Sequence, residues 1–393
     1  MLAVKSVKQS FSPDKEILQM MNTFKDMVNH CIRIGLQNDI SNMKRLSVLS
    51  YQTLKDFDTP SYYKINAISQ AAGRLAQRKH DVKEGKKPKP PFIKKPFLVN
   101  CYRLKINGML FSFPTTQGQR NFLLNDHTVK QLSDHGIKVK SFTMTTTSLS
   151  FCIKRDVSEI KPDSAIGIDR NLRNVTMSTP KNTIMYRTEK ILSIKQNSQH
   201  VRNSFRRFDV RVKNKFHKKH KGRQMQRVNQ HLHKISKDIV QRAKDSKSMI
   251  VFENLKGIRR LYKKGNGQGK KYRQKLNSWS FYELQKQVEY KARWEGILVK
   301  FVDPKRTSKL CPICGGKIQE DGLNRRKVLC NNCGKIMDRD VVASMNIAYK
   351  GWSRFCHPRG LPDEVMRGNA DRLNPLILRV HGSKLVSVNS PIT

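Results

Sequence analysis

The chain has 393 residues, with 78 Lys or Arg against 30 Asp or Glu, for a formal net charge of +48. That length exceeds one ordinary core and implies two or three domains. A positive excess spread along the whole chain points to a polyanionic partner, nucleic acid before any other, and sets aside simple solvated faces on an unrelated enzyme.

No run approaches the ~18 apolar residues of a membrane span, and MLAVKSVKQSFSPDKEILQM lacks a signal-peptide apolar region. The expectation is a protein of the cytoplasm with no membrane partner. Four of the eight cysteines fall in two tight pairs, which in a reducing compartment suggests metal rather than disulfides.

In chain order, LAVKSVKQSF reads as a strand, and ILQMMNTFKDMVNHCIRIGLQ, after Ser12 and Pro13, as an amphipathic helix. TPSYYKINAISQAAGRLAQRKHDV reads as another helix, with Thr59 as N-cap, Pro60 at the first helical position and an apolar stripe through Ile65, Ile68, Ala72 and Leu75. GKKPKPPFIKKP, residues 85–96, ends it, because its four prolines remove donors and fix φ. From Phe97 to Arg155 short alternating segments follow, with Asn107 and Gly108 as a hairpin turn. A β domain over 1–13 and 92–160 is predicted to enclose a helical domain over 14–91.

Beyond Pro162, SAIGIDR, NVTMST and TIMYRT read as three consecutive strands. A basic helical region follows from about 190 to 245, then strand SMIVFEN, helix LNSWSFYELQKQVEYKARWEG, strand ILVKFVDP and a last helix. Three strands, helix, strand, helix, strand, helix is the order of an RNase H-like core. The predicted fold class is therefore multidomain α/β: a nuclease core over 161–305 and 336–351, a zinc ribbon inserted over 306–335, an N-terminal helical lobe and a small β domain. Residues 352–393 show no sustained period and are predicted to be a flexible terminal segment.

Cys311-Pro-Ile-Cys314 and Cys330-Asn-Asn-Cys333 are separated by fifteen residues, and each pair is followed by Gly. Four thiolates at this spacing close a tetrahedral structural Zn²⁺ site, which leaves no open position for catalysis. Asp169 ends the first strand of the core and Glu253 leaves the fourth. A helix beginning near Arg339 makes Asp338 its N-cap, accepting the Val341 N–H. It puts Asp340 in the first turn, on a face with Ala343, Ser344 and Ile347, aimed at the other two acids. Singly, an acid after a strand is more often a turn former. Three converging carboxylates need divalent cations between them, and two Mg²⁺ (or Mn²⁺) ions suit phosphodiester hydrolysis. Arg202, Arg206, Arg207, Arg211, Lys213, Lys215, Lys218, Lys219 and Lys221 cover too many helical faces for a simple amphipathic surface and are the candidate phosphate contacts.

GIDRNLRNVT, VFENLKG and the run from VDPKRTSKLCPICG to CNNCGKIMDRDVVASMNIA, with WSFYELQKQVEYKARWEG before that run, resemble the ordered motifs of TnpB, the RNA-guided nucleases of insertion sequences, related to type V CRISPR effectors and Fanzor. The resemblance spans almost the whole chain. It implies that Asp169, Glu253 and Asp340 are the catalytic acids of a RuvC domain, and that Cys311, Cys314, Cys330 and Cys333 hold zinc. The β segments would be a wedge-like domain and residues 14–91 a recognition lobe. The implied partners are a guide RNA and double-stranded target DNA beside a short motif, base pairing supplying most specificity, in a prokaryotic, nucleoid-associated setting.

One departure stands out: the family pattern D-x-N-A-A is here DVVAS, with Val342 in place of Asn. Two other readings share the core. A weak or inactive RNA-guided DNA-binding protein would have lost acids, and a guide-independent transposase or resolvase would not need the basic helices and the N-terminal lobe.

Overall fold

The computed structural model describes residues 1–205, 209–255, 257–258, 267, 269–320, 322, 324, 326–356 and 373–388. They form two compact units, Leu2–Asp156 and, with Met1, the residues from Val157 onward.

In the first unit β1 (Leu2–Ser10) leads into α1 (Lys15–Gln37), α2 (Met43–Ser50) and α3 (Ser61–Lys83). Asp14 caps α1 by accepting the Ile17 N–H at 2.9 Å, and the helix buries Ile17, Met21, Phe24 and Val28 on one face. α3 starts one residue later than its sequence suggests. Pro60, with ψ at 144°, takes the cap position in place of Thr59, and no side chain caps the helix. Strands β2 (Phe97–Asn100), β3 (Lys105–Asn107), β4 (Leu110–Thr115) and β5 (Gly118–Leu123) precede the short α4 (Asp126–Leu132), β6 (Lys138–Thr145) and β7 (Ser148–Asp156). They make an antiparallel sheet of order β1-β7-β6-β2 and a three-stranded sheet β3-β4-β5. Gly108, at φ 58°, allows the turn between β3 and β4.

The second unit is built on β8 (Ser164–Arg170), β9 (Asn174–Ser178) and β10 (Thr183–Arg187), an antiparallel run. Two basic helices, α5 (Glu189–Ser204) and α6 (Val210–Asp245), lead to β11 (Ser248–Glu253). Helices α7 (Lys270–Asn277) and α8 (Phe281–Trp294) precede β12 (Val299–Val302). β11 lies parallel to β8, and β12 parallel to β11. The ribbon strands β13 (Ile318–Glu320), β14 (Lys327–Cys330) and β15 (Ile336–Asp338) form an antiparallel sheet that runs straight into α9 (Arg339–Phe355).

The described end of the chain differs from the flexible segment expected over 352–393. α9 continues to Phe355, and β16 (Leu376–His381) and β17 (Lys384–Ser387) extend the main sheet to the order β12-β11-β8-β9-β10-β16-β17. β16 pairs in parallel with β10, Ile184 opposite Leu376. Its apolar residues are anchored by a partner almost two hundred positions away, so no local period announces it.

Alternation along the central strands divides the unit into two layers. Ile166, Ile168, Val175, Met177, Ile250 and Phe252 face a large core with α6 and α8 residues such as Leu232, Ile239, Leu284 and Val288. The opposite face carries Ala165, Met249 and Val251 against Ile347, Ala348 and Trp352 of α9. Side chains two residues further along that second face emerge where α9 begins.

Candidate functional site

The positions two beyond Gly167 on β8 and two beyond Val251 on β11 are Asp169 and Glu253, so both acids fall on the face covered by α9. Asp338 caps α9 by accepting the N–H of Asp340 at 2.8 Å and of Val341 at 3.4 Å. The first turn then carries Asp340 to the same place. Asp169, Glu253 and Asp340 line one open cleft of about 590 Å³, whose walls also bear Arg173, Arg326 and Arg339.

Each carboxylate is held by a group that sequence reasoning did not single out. Asn171 Nδ2 donates to Asp169 Oδ2 at 2.6 Å, Thr307 Oγ1 to Glu253 Oε1 at 2.7 Å and Asn174 Nδ2 to Asp340 Oδ2 at 2.7 Å. Arg326, from the ribbon, lies 3.4 Å from Asp340 Oδ2. Asn174 was legible in principle: it starts β9 on the same alternating face as Ser178, which meets Ser344 of α9 at 2.6 Å. Thr307 and Arg326 sit outside the main sheet, and no local signal marks them.

Burial, with Glu253 and Asp340 nearby, raises the Asp169 carboxyl well above the usual aspartate range. Burial likewise raises Glu253, against the opposing pull of the Thr307 hydrogen bond and Arg170. Arg170 itself turns to the other face of the sheet. Its guanidinium donates to the Glu253 carbonyl at 2.7 Å and to Gln285 Oε1 at 2.7 Å, and lies over the Phe252 ring at 4.8 Å. It ties the exits of β8 and β11 to α8.

The four cysteines form a second site. Cys311, Cys314, Cys330 and Cys333 place their Sγ atoms within 4.8 Å of one another, an arrangement that can hold a structural zinc ion. The two halves are built alike. The Gly315 N–H returns to the Cys311 carbonyl at 2.9 Å, and the Gly334 N–H to the Cys330 carbonyl at 3.0 Å, with φ at 75° and 64°. A Cβ on Gly316 would lie 2.7 Å from the Asn332 Cβ, so the knuckle excludes any side chain there. The Gly316 N–H favours the Cys314 thiolate, lowering its pKa to about 6, while burial pushes Cys311 up to about 12.

The ribbon and the acid cleft share a helix. Val342, fully buried, packs with Cys311, Val328, Cys330 and Met337. Asn346 Nδ2 donates to the carbonyls of Thr307 and Leu310, both at 2.8 Å. Arg339 pairs with Glu320 at 2.6 Å.

Of the candidate phosphate contacts, Arg211, Lys215 and Lys221 are exposed on α6. Arg202 is half-buried and bonds Gln199 Oε1 at 2.7 Å on its own helix. Arg206 and Arg207, and the side chains of Lys213, Lys218 and Lys219, lie outside the described residues. Among the described residues no helix is long and apolar enough to cross a membrane.

The family described as Cas12f1-like, TNB domain, matches residues 281–347, from the start of α8 through the ribbon into α9. The CRISPR-associated endodeoxyribonuclease Cas12f1 of Sulfoacidibacillus thermotolerans is 32% identical over 117 residues, 30% of this chain and 25% of that protein. The solved Cas12f1–sgRNA–target DNA complex contains a chain of the same fold, at TM-score 0.57 and 13% identity, covering 85% of this chain and 83% of that one. The TnpB-like protein MJ0751 of Methanocaldococcus jannaschii is 34% identical over 242 residues, 58% of this chain and 85% of its own length. A match that takes in most of a TnpB-like protein, beside likeness in sequence and fold to Cas12f1, makes this chain a member of the TnpB family, related to the type V CRISPR effectors.

Proposed function

We propose that this protein is an RNA-guided, divalent-metal-dependent DNA endonuclease that binds a transposon-derived guide RNA and cuts complementary DNA beside a short flanking motif. The observation that carries this reading is the convergence of Asp169, Glu253 and Asp340, from β8, β11 and α9, on one cleft bordered by arginines. The five strands β10-β9-β8-β11-β12 are then a RuvC-like core, and the first unit its wedge and recognition parts. Relatives named as RNA-guided DNA endonucleases, and the guide- and target-bound state of the Cas12f1 neighbour, support the assignment of partners.

The residues fit Mg²⁺. Asn174 Oδ1 and Thr176 Oγ1, both buried and on the acid-bearing face, have no hydrogen-bond partner among the described residues, and a hydrated cation offers the donors they lack. The same cation offsets the repulsion that raises Asp169. Asp169, Glu253 and Asp340 would hold two ions, which supply Lewis acidity toward the attacking water and the leaving oxygen of the phosphodiester.

The chain's own groups do the positioning. Asn171, Thr307 and Asn174 each fix one oxygen of a carboxylate. Arg173, Arg326 and Arg339 offer forked donors to the phosphates on either side of the scissile bond. The four-cysteine ribbon would bind zinc and hold Arg326 and the start of α9 in place.

Protein purified with its co-expressed RNA is expected to cut a matched, motif-flanked DNA in Mg²⁺, and Asp169→Ala to abolish cutting while keeping DNA binding. Intact DNA at every flanking motif tested would overturn the nuclease reading.

A further inference from the structure

Beside the acid cleft lies a second cavity, about 550 Å³, between α5, the C-terminal ends of α7 and its turn, and the start of α8. Its lining is unusual for a chain of charge +48. Carboxamides are its commonest side chains, in Gln196, Gln199, Gln224, Gln274 and Asn277, with a single carboxylate, Glu283, among the lining residues. Gln199 Oε1 accepts from Arg202 one turn along α5, and Gln224 Oε1, on α6, accepts from Ser198 of α5, each at 2.7 Å. The side chains of Gln196, Gln274 and Asn277 are exposed and make no hydrogen bond among the described residues.

An amide presents a donor and an acceptor side by side and carries no charge. That pairing matches the edge of a nucleobase, and it is a poor match for a phosphate, which takes cations. Cations are present at this cavity as well, in Arg202 and Lys275. One ring joins the two cavities: Trp279 lines both this one and the acid cleft. Lys195 donates to the Ser278 carbonyl and to Ser280 Oγ, so the residues on both sides of Trp279 are tied to α5.

We propose that this cavity takes an unpaired nucleobase of the DNA strand led to the acid cleft, stacked on Trp279 and read on its edge by Gln196, Gln274 and Asn277. The proposal rests on the nuclease reading above and adds to it a base-binding subsite next to the cut. Arg202 and Lys275 hold the adjoining phosphates. Base–aromatic stacking tolerates any base, whereas bidentate amide contacts favour adenine, so the subsite biases cutting toward strands with an adenine at one fixed offset.

The test is an abasic scan. Single-stranded DNA with one base removed at each position in turn is bound to the full chain with its co-purified RNA, in Ca²⁺ and at salt high enough to weaken phosphate contacts. Loss of about tenfold in affinity is expected at one position, and no loss at that position in the exposed double variant Gln196→Ala/Gln274→Ala or in Trp279→Ala, each of which has already lost the contact. Loss spread evenly over positions, or a position-specific loss that persists in both variants, would overturn the proposal. So would a position-specific loss seen only when the scan is repeated in RNA. Because binding is read in Ca²⁺, failure of the nuclease reading shows separately, as uncut intact DNA in Mg²⁺.

Discussion

A Cβ on Gly167 would lie 2.0 Å from the carbonyl oxygen of Ser344. α9 therefore rests on β8 backbone to backbone, and at Gly351 its backbone closes on a β11 side chain, where a Cβ would lie 2.4 Å from Val251 Cγ2. Asp169 is two residues beyond Gly167 and Asp340 four residues before Ser344, so this contact sets how near the two acids come. Gly167→Ala has no flexible side chain to push aside and must lift the helix. A cost at the upper end of the ~1–3 kcal/mol of overpacking is expected. A displacement of the order of 1 Å would slow cutting about 100-fold. Thermal denaturation and a cutting time course check both, and a wild-type rate would show that Asp340 does not depend on this approach.

Val342 stands where the D-x-N-A-A pattern of the resemblance has Asn, and its surroundings explain what that residue does here. It does not line the acid cleft; it is fully buried among Cys311, Val328, Cys330 and Met337, as part of the joint between ribbon and helix. Restoring the family residue with Val342→Asn would bury an amide in that apolar cluster, at about 1–3 kcal/mol where it finds no partner. The expected result is a lower melting temperature and no gain in cutting. Faster cutting at unchanged stability would show instead that Val342 limits the activity of this chain.

The parts of the site legible in the sequence are those that a local rule dictates. Asp169 and Glu253 end apolar runs, and Asp338 and Asp340 divide between cap and first turn because capping geometry allows only one of them to be the cap. The groups that hold the acids obey no local rule. Thr307 reaches Glu253 across 54 positions and Asn174 reaches Asp340 across 166, and only the folded sheet brings them together. The same holds for β16, whose partner β10 is far away in sequence, and for Pro60, where one backbone angle moved the start of α3.

About one zinc ion per chain is expected by elemental analysis, and Cys330→Ser should lose it. Without metal Cys311 keeps its proton at neutral pH, with its pKa pushed up to about 12, so zinc binding must release protons and affinity should fall as pH falls. Loss of zinc loosens the cluster that holds Val342, and with it the ion pair of Arg326 and Asp340 at 3.4 Å. Cutting should therefore decline with zinc content in a chelator titration, although no cysteine lines the acid cleft. Full cutting by zinc-free protein would separate the ribbon from the chemistry.

The proposed metal site would leave a signature in stability through Asp169. Its pKa is raised by burial and by the neighbouring Glu253 and Asp340, so between the unfolded value, about 3.9, and the higher folded value the native chain binds more protons than the unfolded one. Stability of the metal-free protein is then undiminished by this group below the unfolded pKa and falls as pH rises through the folded pKa. Asp169→Asn removes the charge and keeps a similar shape, so the metal-free variant should melt higher than the wild type at neutral pH, by roughly 2–4 °C for each kcal/mol of repulsion relieved. Mg²⁺ should reverse the order by raising the wild type more than the variant, because a ligand stabilises only the state that binds it. Melting curves over pH, with and without Mg²⁺, read both effects in a single experiment. A variant that melts below the wild type in the absence of metal would mean that the Asp169 carboxyl is held by its Asn171 hydrogen bond more strongly than it is opposed by its neighbours.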